Sequence, residues 1–251
     1  MRILITNDDG IMSEGIRILV EYLRDIAEVL VVAPDVERSA TGHAITVRTP
    51  LWVKEIRIDG KFFGYAVNGT PADCVKIGVK AISKKALDMV ISGINKGANL
   101  GTDIMYSGTV SAALEGALLK KPSIAISTTN FNEPMYKTAA IFAKELVSKL
   151  ALSDFPEYVA LNVNVPSIPY SEIKGIKITK QGLRQYEDYF EARKDPYGNT
   201  YYWMLGNVVD REKAEDIDSK AVELGYISLT PLYILLTDEK SIDRFKYLEK
   251  S

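Results

Sequence analysis

The chain has 251 residues, with 31 Lys and Arg against 33 Asp and Glu for a formal net charge of −2. That length suits one large α/β domain, and the near balance of charge leaves no broad basic footprint for nucleic acid or an anionic membrane. The one cysteine, Cys74, excludes an intramolecular disulfide framework and a CxxC metal clip.

These features, with no basic leader and no apolar run of the ~18 residues a membrane span needs, predict a soluble, cytoplasmic protein. Met1–Thr6 reads as a buried parallel strand, closed by Asn7-Asp8-Asp9-Gly10. Ser13–Arg24 has helical spacing through Ile16, Leu19, Val20 and Leu23, with Ser13 as the expected N-cap. Glu28–Ala33 is a second strand stopped by Pro34, so the opening is a βαβ unit and the sheet is parallel. Ala44–Thr49, Leu51–Ile58 and Phe62–Val67 alternate as antiparallel strands do.

Asp73–Lys80 and Thr109–Leu119 read as helices, Met89–Ser92 and Ser123–Ser127 as core strands. Tyr136–Leu150 is amphipathic and Tyr158–Val165 strand-like. The last third is aromatic: Tyr186–Trp203 reads as two arms about the turn Asp195-Pro196-Tyr197-Gly198-Asn199. A strand over Gly225–Pro231 and a polar helix over Asp238–Glu249 close the chain. The fold class is a doubly wound, mostly parallel α/β sheet with a β-hairpin and C-terminal appendage. One domain over 1–251 is expected, its core about 1–180 and its appendage about 181–251.

Open α/β sheets bind ligands beyond the carboxyl ends of their strands. On a strand Asp8 and Asp9 would face opposite sides; past its end both can turn to one point. Taken alone, Asp8-Asp9-Gly10 reads as a solvated turn or cap. If the two carboxylates are brought together they need a counter-charge, for which a divalent cation is the natural source. Ser39 and Asn95, also beyond strands, add hard oxygen donors suited to Mg²⁺, Mn²⁺ or Ca²⁺; zinc would want histidine or cysteine.

Gly93–Gly101 is neither a GxGxxG fingerprint nor a P-loop, so a nucleotide cofactor held in the Rossmann manner is not expected. Ser107-Gly108-Thr109 opens a helix and suits a phosphate, although Ser or Thr also simply caps helices. Lys96 and Arg38 could bring positive charge to that anion. His43 has no acid partner visible in the sequence, which argues against a Ser-His-Asp triad. Cys74 reads as a buried small hydrophobe, and the Tyr/Trp cluster as packing or a subunit contact.

Five blocks together resemble the survival protein E (SurE) nucleotidases over roughly the first 130 residues. They are Ile5-Thr6-Asn7-Asp8-Asp9-Gly10, Ala33-Pro34-Asp35 with Arg38-Ser39-Ala40-Thr41-Gly42-His43, Gly69-Thr70-Pro71-Ala72-Asp73-Cys74, Ser92-Gly93-Ile94-Asn95-Lys96-Gly97-Ala98-Asn99 and Tyr106-Ser107-Gly108-Thr109-Val110. The resemblance implies a Rossmann-like core and a cytoplasmic metal-dependent phosphatase acting on nucleoside monophosphates, 5′ and often 3′. Carried over residue by residue, it implies Asp8, Asp9, Ser39 and Asn95 as ligands of one Mg²⁺ or Mn²⁺ per subunit. Asp8, Asp9 and Asn95 become catalytic, and Asn7, Lys96, Ser107, Gly108 and Thr109 contact phosphate or substrate. It also implies a homodimer or homotetramer built by exchanged C-terminal segments, with neither a nucleic-acid scaffold nor a membrane as partner.

Metal-assisted hydrolysis is the expected mechanism. A phosphoryl-accepting Asp8 ranks lower, because aspartate-based phosphatases place their second aspartate two residues on rather than adjacent. A nucleotide-sensing module without turnover is the reading from another class.

Overall fold

Alternation along the first strand sets the layers. Strand β1 (Arg2–Thr6) sends Ile3 and Ile5 into one core cluster and Leu4 into another, all fully buried. In this computed structural model, which describes residues 1–210 and 214–249, the order continues with α1 (Glu14–Leu23), β2 (Glu28–Pro34), β3 (Val53–Ile58), β4 (Lys61–Val67), α2 (Pro71–Ile77), β5 (Met89–Lys96), α3 (Gly108–Leu118) and β6 (Ser123–Thr128). Then come α4 (Tyr136–Lys149), β7 (Val159–Val165), β8 (Ile176–Ile178), β9 (Arg184–Lys194), β10 (Thr200–Asp210), α5 (Asp218–Glu223), β11 (Ile227–Tyr233) and α6 (Glu239–Phe245).

Nine strands form one sheet in the order β3-β4-β2-β1-β5-β6-β7-β11-β8. All neighbours pair in parallel except β3 with β4 and β7 with β11. Helices α1 and α4 cover one face through Ile16, Leu19, Leu23, Ala139, Phe142 and Ala143. Each buried Ile or Leu there contributes about 1.5–3 kcal/mol relative to exposure. On the other face Leu4, Val32 and Val90 meet Cys74 and Val75 of α2 and Ala112 of α3. The expected doubly wound α/β fold is what the chain adopts.

Two local expectations change. Ala44–Thr49 is not a strand, and Ile45 and Val47 face water. Its backbone is held by side chains instead: the Thr70 hydroxyl donates to the Ala44 carbonyl (2.7 Å) and the Thr46 N–H to Asp73 (2.9 Å). Ser13 holds the N-cap position of α1 without capping it, because its hydroxyl accepts the Asn7 amide (2.8 Å). Two elements are unmarked by periodicity: α5, which packs on the core through the buried Ile217 and Ala221, and β8, an edge strand paired to β11 with Ile176 and Ile178 exposed.

Strands β9 and β10 pair only with each other, a separate antiparallel ribbon about the predicted turn. Its base is tied to the domain: Arg184 forms an ion pair with Asp103 (2.7 Å) and the Tyr186 hydroxyl donates to the same carboxylate (2.6 Å). Residues 211–213 and 250–251, which the single-domain expectation also spans, lie outside the described residues.

Candidate functional site

From β1 the chain winds outward to β2 and then returns to place β5 on the other side of β1. That reversal opens a crevice at the carboxyl ends of β1 and β5, where open α/β sheets place their ligands. Asp8 and Asp9 follow β1, and Asn95 and Lys96 end β5. All four line one cleft of about 310 Å³, together with Glu37 and Ser39 from the segment after β2 and Ser107 before α3. Register between β5 and β6 shifts between Ser92 and Asn95. Gly93 makes this possible at φ +136°, since a Cβ there would collide with the Ile126 carbonyl oxygen.

Asp8 is the more buried carboxylate, 4% exposed. Thr109 holds both of its oxygens: the backbone N–H donates to Oδ2 (3.1 Å) and the hydroxyl donates to Oδ1. Gly108 permits the approach, because a Cβ there would stand 2.8 Å from the Asp8 Cβ. Burial pushes the Asp8 carboxyl above the ordinary value of 3.8, against the pull of the Thr109 bonds. Asp9 accepts the Lys96 backbone N–H (3.3 Å). Burial, and next the neighbouring Asp8 charge, push its carboxyl from 3.8 to about 7.

The other two expected ligands each donate a hydrogen to a neighbouring oxygen. The Ser39 hydroxyl donates to Glu37 (2.7 Å), and the Asn95 amide nitrogen to the Gly97 carbonyl (2.8 Å). Each keeps an oxygen with free lone pairs, the kind of donor a hard cation takes. Asp8, Asp9, Glu37 and Asp103 line the same cleft as Lys96, with Asp103 paired to Arg184, so carboxylates outnumber ammonium groups in its wall. Among the described residues no three His, Cys, Asp or Glu side chains gather as a metal cluster, so the donor set that fits is this mixed one.

The expected phosphate contacts divide. Ser107 lines the cleft; its oxygen accepts the Val110 N–H (3.1 Å), leaving its own hydrogen to donate. Thr109 spends both donors on Asp8, so of the first-turn groups Gly108 keeps an N–H without a partner among the described hydrogen bonds. Lys96 places its ammonium 4.3 Å from the Phe131 ring centroid. Asn7 is wholly buried and away from the cleft wall: its amide donates to the Gly10 carbonyl (2.9 Å) and to Ser13, locking the turn that aims the aspartates. Arg38 turns to Asp35 (3.4 Å) rather than into the cleft.

His43 does have an acid partner, Glu115 on α3, at 3.1 Å. Lys76 meets the other Glu115 oxygen at 2.7 Å, and the trio lies apart from the aspartates. A larger groove of about 490 Å³ contains His43 but no carboxylate, so size does not mark the chemistry here. Cys74 is fully buried and burial drives its thiol upward, which removes it as a nucleophile.

Asn99 stands in one of the five blocks of resemblance, but the sequence assigns it no role. It lines the cleft, donates its N–H to Asn164 (2.8 Å) and its amide to Ser127 (2.8 Å), and its carbonyl accepts from Asn162 (2.8 Å) and Asn164 (2.9 Å). The signal was available: Asn162 and Asn164 stand at i and i+2 in an otherwise apolar strand, hence on one face.

The family model described as Survival protein SurE matches residues 3–188. A protein named 5′-nucleotidase SurE from Kosmotoga olearia is 57% identical over 246 residues, 98% of this chain and 97% of that protein. One of the same name from Petrotoga mobilis is 57% identical over 247 residues, 98% of each. The crystal structure of the Sure protein from Aquifex aeolicus superposes with a TM-score of 0.87 at 44% identity, covering 99% of this chain and 100% of that one. With its doubly wound sheet and its match to the family model over most of its length, the chain belongs to the SurE family.

Proposed function

We propose that this chain is a 5′-nucleotidase, a phosphoric monoester hydrolase that releases phosphate from nucleoside 5′-monophosphates with one Mg²⁺ or Mn²⁺ per subunit. Hydrolysis of 3′-monophosphates, a cytoplasmic setting and a homodimer or homotetramer belong to the same proposal. The observation that carries it is the convergence of Asp8 and Asp9 with the free lone pairs of Ser39 and Asn95 in one negatively charged cleft. Relatives bearing the name 5′-nucleotidase SurE point the same way.

When bound, the cation supplies a polarised phosphoryl oxygen and a bound water of lowered pKa. The chain's own groups divide the remaining work. Asp8, pinned by Thr109, is a fixed ligand. Asp9, less enclosed than Asp8, would hold the cation beside it and orient or deprotonate the attacking water. The Ser107 hydroxyl and the Gly108 N–H face an anion at the start of α3, where the helix dipole favours negative charge. Among the described residues that line the cleft, Lys96 adds the positive side chain.

The test is phosphate release from AMP and from 3′-AMP, with Mg²⁺ or Mn²⁺ against excess chelator. The proposal expects metal-dependent release from AMP. Release undiminished by chelator would remove the metal, and binding of AMP without release would leave a nucleotide sensor.

A further inference from the structure

The cleft wall is polar around the aspartates and aromatic at two points, Tyr106 and Phe131. Both side chains line it, yet they remain 68% and 62% exposed. A large ring kept in water forgoes the stabilisation that burial would give it. Neither ring is on a loose strand end. Tyr106 closes the turn Gly101–Met105; its N–H donates to the Asp103 carbonyl (3.0 Å) and its own carbonyl accepts the Gly42 N–H (3.0 Å). Phe131 lies against Gly97, where a Cβ would stand 3.4 Å from the ring, and carries the Lys96 ammonium over one face. Most of its surface is open all the same.

We infer that Tyr106 and Phe131 form a stacking platform for the base of the bound nucleotide. The inference rests on the nucleotidase reading and deepens it. The cleft's volume, about 310 Å³, is at the scale of a small-molecule pocket. Lys96 contacts both parts of the wall: its ammonium sits on Phe131, while its backbone N–H donates to Asp9. A phosphoryl group at the aspartates therefore has an aromatic surface within the same cleft for what it carries. Every base has a π-face, so a platform of this kind accepts all of them, favours purines by their larger area, and selects nucleotides over sugar phosphates.

Steady-state kinetics of the full chain with AMP and with ribose 5-phosphate test this, comparing wild type with Tyr106→Ala, Phe131→Ala, the double variant and Phe131→Trp. The ratio of kcat/KM for AMP to that for ribose 5-phosphate should fall about tenfold in the double variant, through KM for AMP, and hold in Phe131→Trp. A double-variant ratio within about twofold of wild type overturns the platform. A wild type that hydrolyses neither substrate defeats the nucleotidase reading instead. Calorimetric AMP affinity then decides the platform: about tenfold weaker binding by the double variant supports it, and equal binding overturns it.

Discussion

Thr109 gives both of its donors, the backbone N–H at 3.1 Å and the hydroxyl, to the carboxylate of Asp8, 101 residues earlier in the chain. A threonine that the sequence suggested for phosphate thus orients a carboxylate. Thr109→Val keeps the N–H contact and loses the hydroxyl one. Groups that orient a metal ligand are worth about 10–100-fold in affinity or activity. We expect Mn²⁺ affinity, measured by calorimetry, to weaken by at least about tenfold in Thr109→Val. In Ser107→Ala it should stay near wild type while KM for AMP rises. Equal metal affinity in wild type and Thr109→Val would return Thr109 to the role of helix-capping neighbour.

Asp9 links stability to pH. Its folded carboxyl titrates near 7 against 3.8 when unfolded. Below about 4 both states are protonated; between there and 7 the folded chain holds a proton that the unfolded chain releases. Metal-free stability should therefore fall as pH rises through that window. In chelator, the melting temperature should drop from pH 4.5 to 7 more for wild type than for Asp9→Asn. Parallel curves for the two proteins would contradict the assignment.

Glu115 has the opposite sign. Its burial raises the carboxyl, but bonds from His43 and Lys76 outweigh that and lower it below 4.5. The stabilisation is present above 4.5 and disappears as pH falls through the lowered folded value. Glu115→Gln should cost about 1.5–3 kcal/mol at pH 7 by urea denaturation, and progressively less toward pH 3. A deficit that does not shrink in acid would mean that packing, not charge, is what Glu115 contributes.

On the hairpin, Phe190 and Met204 pair across the ribbon and are 66% and 65% exposed, with Tyr197, Tyr202 and Trp203 also open to water. A two-stranded ribbon cannot bury such rings on itself, and aromatic and Met surface of this kind marks interfaces. Sedimentation of the chain at micromolar concentration should give a dimer or tetramer, and Phe190→Glu with Met204→Glu a folded monomer. A monomeric wild type would leave the ribbon without an oligomeric role.

The sheet was legible because parallel strands buried on both faces read as short apolar runs, and the turn after β1 because two carboxylates at a strand end have few other uses. What could not be read is long-range pairing. Glu115 answers His43 from 72 residues away, and Arg184 answers Asp103 across 81. Neither spacing leaves a periodicity. Ala44–Thr49 misled because alternation alone does not supply a partner strand, and here Thr70 and Asp73 satisfy the backbone instead. Helix α5 was hidden for a related reason: Asp218, fully buried in its first turn, is held by the backbone N–H groups of Gly101 (2.8 Å) and Gly182 (3.1 Å), far from it in sequence.

The most direct test of the cation site is a Mn²⁺ titration of chelator-stripped protein followed by electron paramagnetic resonance, run on wild type and on the Asp8→Asn, Asp9→Asn double variant. Neutralising both carboxylates leaves the cleft's shape and removes its charged ligands. Wild type should take up one equivalent per chain and the variant none in the same concentration range. Binding of equal strength by both proteins, or none by wild type, would contradict the claim that Asp8 and Asp9 stand together to hold a metal.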